Sequence, residues 1–96
     1  MEITKIKELQ DQIIEFVRDL AEYAGGVELD VVNTDFDGDT LYVSFEPADL
    51  LTIGDYGVDD LVADLKKNVT HGKHHILVDL DKDEEYFTVE ISNLKN

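Results

Sequence analysis

"NTDFDGD", residues 33–39, decides how the middle of this 96-residue chain is read. Asn33, Asp35, Asp37 and Gly38 match the first, third, fifth and sixth positions of a helix-flanked calcium loop, where alternate oxygens and a glycine turn wrap the ion. The same residues make the tip of a β-hairpin, because Asp37-Gly38 is a preferred centre for a type I′ turn and alternating apolar residues flank it. The twelfth loop position, which needs a bidentate glutamate, is Ser44. A second partial match, Asp79, Asp81 and Asp83 with Glu90 in twelfth place, has Glu84 where the turn requires glycine. The hairpin reading takes precedence. No cofactor and no specific metal site is expected, and weak calcium binding by clustered carboxylates is the remaining metal reading.

Working outward, the I′ turn places Phe36, Thr34, Val32 and Asp30 opposite Asp39, Leu41, Val43 and Phe45. One face then collects Phe36, Val32, Leu41, Val43 and Phe45 as core. The other carries Asp35, Asn33, Thr40, Tyr42, Ser44 and Glu46, with Val31 and Leu29 its only apolar residues. Residues 76–81 and 86–92 alternate in the same way: if Leu80 faces Phe87, then Ile76, Val78, Leu80, Phe87, Val89 and Ile91 share one side. Asp79, Asp81, Tyr86, Thr88 and Glu90 share the other.

A helix is expected before each strand pair. Over residues 3–24, Ile6, Leu9, Ile13, Phe16, Val17, Leu20 and Ala24 recur at helical spacing until Gly25-Gly26 stops them. Val58, Leu61, Val62, Leu65 and Val69 form a shorter stripe, with aspartates early, lysines late and Gly72 as its exit. The expected fold is α+β: a two-layer sandwich in αββαββ order, with a four-stranded antiparallel sheet and two helices on one face. The chain is read as one domain, residues 1–96, with "FVRDL" and "LVADL" hinting at duplication of residues 1–46 in 58–92 across a connecting segment, 47–57. Leu50, Leu51, Ile53 and Tyr56 in that segment are expected to seal one end of the core, and the tail 93–96 to fray.

Composition narrows the function. The chain has no cysteine, hence no disulfide or thiolate chemistry, and the expected compartment is the cytoplasm. Its N-terminus is charged from Glu2 onward, and no apolar run approaches the roughly 18 residues of a membrane span. With 23 acidic against 8 basic residues the formal net charge is −15, which opposes direct binding to nucleic acid or anionic membranes. His71, His74 and His75 lack metal-ligand spacing, and no nucleophile motif accompanies them, so an enzyme is not expected.

The charge is also ordered. At 100° per residue Glu8, Asp11, Glu15, Asp19 and Glu22 fall in an arc of about 80° opposite the apolar stripe of the first helix. A face built for solubility alone interleaves both signs, because like charges at this spacing destabilise a helix; here Lys5, Lys7 and Arg18 stand to the flanks. In size and charge the chain resembles the small acidic anti-restriction and anti-CRISPR proteins that phages encode. That resemblance implies an inhibitor that mimics DNA and occupies the basic surface of a nucleic-acid-binding host protein. The carboxylates expected to stand for phosphates are the helix ridge together with Asp35, Asp37, Asp39, Asp81, Asp83, Glu84 and Glu85, with Tyr42 and Tyr86 as aromatic anchors. The alternative is an interaction or assembly domain that uses the apolar connecting segment or an open strand edge, its acids serving solubility. Oligomeric state is not legible in the sequence.

Overall fold

The computed structural model describes residues 2–94. The chain forms an α+β fold in which helix α1 (Ile3–Gly25) leads into strands β1 (Asp30–Asp37) and β2 (Thr40–Glu46). A short helix α2 (Asp49–Thr52) and helix α3 (Val58–Leu65) follow, then strands β3 (His75–Leu80) and β4 (Phe87–Ser92). The four strands make one antiparallel sheet in the order β1-β2-β4-β3. No helix among the described residues is long and apolar enough to cross a membrane.

α1 ends where the glycines require it. Gly26 takes a left-handed φ of +63° and donates its N–H to Glu22 O at 3.0 Å, while the Val27 N–H reaches Ala21 O at 3.1 Å. Those bonds occupy carbonyls that the helix would otherwise leave without partners. The stripe it buries is Ile6, Leu9, Ile13, Val17 and Ala21. α3 starts with the Asp60 carboxylate accepting the Gly57 N–H at 2.9 Å and continues into a π-helical turn, Lys66–Thr70, closed by His71 at φ 53°. The second stripe therefore runs through Val69 as its spacing implies, with the final turn wider than an α-helix. α1 packs chiefly on β2, and α3 on β3.

Both helices share one apolar cluster with Leu41, Val43, Phe45, Ile76, Val78, Phe87, Val89 and Ile91. The β3–β4 pairing sets Leu80 opposite Phe87, Val78 opposite Val89 and Ile76 opposite Ile91, the register supposed in reading the alternation. In the middle of the sheet Leu41 pairs with Ile91, Val43 with Val89 and Phe45 with Phe87, whose rings stack at 5.3 Å.

The first hairpin departs from its expected register in two ways. The two-residue turn is Gly38-Asp39, so Asp37 faces Thr40, Phe36 faces Leu41 and Thr34 faces Val43. Gly38 has φ +65° and Asp39 lacks a positive φ, the pattern of a type II′ turn with glycine first. A shift of two residues preserves which side each residue faces. The turn is also held from below: Leu94, almost wholly buried, donates its N–H to Asp39 O at 3.0 Å. The tail expected to fray is thus anchored at Leu94; Lys95 and Asn96 lie outside the described residues.

The second departure is a β-bulge at Val32, which breaks the register between Val31 and Asn33. It reverses the alternation below that point. Leu29 and Val31 turn to the core, and Val32 faces outward at 46 % exposure. Without the bulge Asp30 would point into the core and an unpaired carboxylate would be desolvated there, which costs more than exposing one valine. Phe36, expected in the core, is 40 % exposed near the hairpin tip.

Strand pairing and helix packing differ in symmetry. An offset of 46 residues exchanges the pair Leu41–Ile91 with Phe45–Phe87 and leaves Val43–Val89 in place, an approximate two-fold relation between the hairpins. The helices do not follow it. Leu61 and Leu65 are buried, whereas Phe16 and Leu20, which the pentapeptide match aligns with them, are only partly so.

Leu29→Ala is expected to lower the unfolding free energy by about 2–5 kcal/mol, as for other buried leucines. Val32→Ala should change it by no more than about 0.5 kcal/mol, as for exposed sites. Urea denaturation followed by circular dichroism checks both values. The reverse ranking would remove the bulge.

Candidate functional site

The fourteen residues singled out from the sequence do not form one surface. The ridge Glu8, Asp11, Glu15, Asp19 and Glu22 is exposed along its length. Its mean direction lies about 180° from that of the buried stripe Ile6 to Ala21. The stripe faces the sheet, so the ridge points away from it. Glu8 to Glu22 covers about 21 Å of helix axis at 1.5 Å per residue. Phe16, partly buried, and Val69 border a groove of about 240 Å³ between the ridge and the π-helical turn, where Glu15, Asp19 and Asn68 also line the wall.

Asp35, Asp37, Tyr42 and Tyr86 gather on the opposite side, on the sheet face not covered by helices. Together with Asn33, Val32, Ser44 and Thr88 they line an open concavity of about 540 Å³. Its floor is the pair Ser44–Thr88, whose hydroxyl oxygens are 2.8 Å apart; Ser44 is buried. One hydroxyl proton makes that bond and the second is left to bond elsewhere.

Asp39 sits at the turn, where its Oδ1 accepts from the Thr40 hydroxyl at 3.2 Å. Asp81, Asp83, Glu84 and Glu85 belong to the β3–β4 connection, in which the Asp81 N–H bonds Tyr86 O at 3.0 Å and the Glu84 N–H bonds Asp81 O at 2.8 Å. Their Asp81 carboxylate also accepts the Asp83 N–H at 3.3 Å.

The calcium-loop reading meets different geometry. Asn33, Asp35 and Asp37 lie two residues apart on one strand and so project side by side from one face instead of encircling a point. The Asp35 carboxylate accepts the Phe36 N–H at 2.9 Å. Among the described residues no group of three or more His, Asp or Glu side chains is arranged to hold a metal ion.

Sequence periodicity did not reveal which residues become neighbours across the centre of the sheet. Asp35 pairs with Tyr42, Tyr42 with Glu90, and Glu90 with Leu77, giving one row across all four strands. Asn33, Ser44, Thr88 and Asp79 form the next. Glu90, Leu77 and Asp79 thereby join the face that Tyr42 and Tyr86 mark. Each is an outward position in an alternating strand; what the sequence lacked was the adjacency of β2 and β4.

The connecting segment is mostly structural. Leu50 and Leu51 are buried, and only Ile53, 69 % exposed, is free to meet a partner. The Tyr56 hydroxyl donates to Asp64 Oδ2 at 2.6 Å, fastening the segment to α3. Burial first, then that hydrogen bond and the negative charges of Asp64 and Asp60, raise the Tyr56 phenol well above its ordinary value.

No protein-family model, curated protein or solved structure matches the chain.

Because the Tyr56 phenol is raised on folding, its stabilising effect is complete below about pH 10, the unfolded value, and is lost as pH rises above it. Stability measured by urea between pH 9 and 11 is expected to fall less steeply in Tyr56→Phe than in the parent chain. Equal slopes would mean that Tyr56 keeps its proton no more firmly folded than unfolded.

Proposed function

We propose that this chain is a non-enzymatic acidic binding protein of the cytoplasm that occupies a basic nucleic-acid-binding surface on another protein, as a DNA-mimicking inhibitor. The observation that carries this reading is the orientation of the α1 ridge: five carboxylates in one row, all exposed, directed away from the sheet. Successive members rise about 4.5–6 Å along the helix axis, the same order as the roughly 3.4 Å of axis per charge on one strand of duplex DNA. A groove lined by lysine and arginine would find on this rigid helix a row of anions already in place, without ordering a flexible segment. The resemblance in size and charge to phage anti-restriction and anti-CRISPR proteins suggests a restriction or CRISPR effector as the kind of target.

The alternative is an assembly domain built on the connecting segment or on an open strand edge, β1 or β3; of these the connecting segment has less to work with. Leu50 and Leu51 are committed to the core, leaving Ile53 as the one exposed aliphatic anchor there.

Capture of basic nucleic-acid-binding proteins from a lysate is expected to weaken at least about tenfold as salt rises from about 50 to 200 mM, since the contact joins exposed charges. Glu15→Lys with Asp19→Lys should abolish it, and double-stranded DNA should compete for the same site. Ile53→Ala should leave it intact. Capture that survives ridge reversal but not Ile53→Ala would transfer support to the assembly reading.

A further inference from the structure

The uncovered sheet face carries a second feature that the ridge reading does not use. Tyr42, half-buried near the middle of the sheet, has Asp35 directly opposite on β1 and Glu90 directly opposite on β4. Residues so paired have Cβ atoms about 4.5–5.5 Å apart. The Tyr42 side chain therefore projects between Glu90 and Asp35, whose Oδ1 already accepts the Phe36 N–H at 2.9 Å so that its second oxygen is the one left for a ligand, beside a concavity of about 540 Å³ that Tyr86 also lines. Exposed apolar side chains on the same face are Val32 and Tyr86, which line that concavity, and Leu77, which pairs with Glu90; they are 46, 41 and 50 % exposed.

We propose that this face docks an extended segment of a partner protein by receiving an arginine side chain at Tyr42, between Asp35 and Glu90. A guanidinium is planar and weakly hydrated, so it stacks on an aromatic ring while its N–H groups point outward in a plane parallel to the ring. Carboxylates on both sides of the ring meet those donors, and an ammonium, with no flat face to stack, uses the arrangement less well. Val32 and Leu77 supply apolar contact for neighbouring side chains of the segment. The remaining Ser44–Thr88 hydroxyl proton can donate to one of its carbonyls.

Charge complementarity identifies the occupant as foreign and cationic. The outward strand positions of this face include Asp35, Asp37, Asp79 and Glu90, and none of them is lysine or arginine. The chain's single arginine, Arg18, is on α1 and lines cavities there with Glu22. This docking is separate from the ridge contact proposed above, because the two surfaces lie on opposite sides of the sheet.

The test uses the full chain and two extended probe peptides, Gly-Val-Arg-Val-Gly and its lysine counterpart, with blocked ends, followed by amide chemical shifts. The arginine peptide is expected to shift Asp35, Tyr42 and Glu90 saturably and to bind at least about fivefold more tightly than the lysine peptide. Tyr42→Ala and Glu90→Gln should each weaken it about tenfold, the loss of one strong contact. Tyr42→Phe keeps the ring and should bind as the parent does, which separates loss of stacking from loss of fold. Glu15→Lys with Asp19→Lys should leave peptide affinity unchanged, so failure of the ridge reading and failure of this one give different results. No saturable shift up to about 10 mM peptide, equal binding of both peptides, or shifts centred on α1 would each overturn the proposal.

Discussion

The pairing of β2 with β4 is the constraint on which the rest of the molecule depends. On one side it sets Phe45 against Phe87, rings stacked at 5.3 Å, with Val43 on Val89 and Leu41 on Ile91. These six side chains are the floor on which α1 and α3 rest. Truncating a buried phenylalanine costs about 3–5 kcal/mol, a large part of the net stability of a domain this size. On its other side the same ladder sets Tyr42 against Glu90 and Ser44 against Thr88. Core packing and surface chemistry are therefore two sides of one register. A slip of one residue would carry the aromatic pair into solvent and the carboxylates into the core.

Such a core is strong enough to carry the charge. Four like-charged neighbours along the α1 ridge, each costing about 0.2–0.5 kcal/mol, amount to about 1–2 kcal/mol. A single buried leucine offsets that. The net charge of −15 adds diffuse repulsion, which salt screens beyond about 8–10 Å. Selection for stability alone would still have placed lysines within the ridge, because the exchange gains the same energy that the present arrangement loses.

Much of this was legible in the sequence, for identifiable reasons. α1 was delimited because a long apolar stripe ends in two glycines, and β3–β4 because six alternating apolar residues share one side in the register that sets Leu80 opposite Phe87. The first hairpin was harder. Asp37-Gly38 carries the strongest short-range turn signal, but the anchoring of Leu94 beneath Asp39 accompanies a turn one residue later, and that contact joins residues 55 apart in sequence. The Val32 bulge follows from keeping Asp30 out of the core, which periodicity does not represent. The candidate surfaces were legible as faces of individual elements. Their mutual placement was not, because alternation assigns a residue to a side of its strand without naming the strand next to it. For that reason Glu90 and Asp79 were assigned an outward face but not joined to Tyr42, while the helix ridge was grouped with tyrosines that lie behind the sheet.

The separation of these surfaces sharpens the argument about charge. On an open sheet face, a carboxylate opposite lysine gains about 0.2–1 kcal/mol across the ladder. Tyr42 has carboxylates on both neighbouring strands, and the ridge has carboxylates on successive turns. No outward strand position of the sheet face is lysine or arginine, and on α1 the basic residues Lys5, Lys7 and Arg18 border the ridge instead of interrupting it, Arg18 at helical spacing from Glu15 and Glu22. Solubility does not require that pattern twice, since interleaved charges hydrate equally well. The two contacts proposed above would each use such a surface, because a lysine of the chain itself would occupy the position that the incoming cation takes.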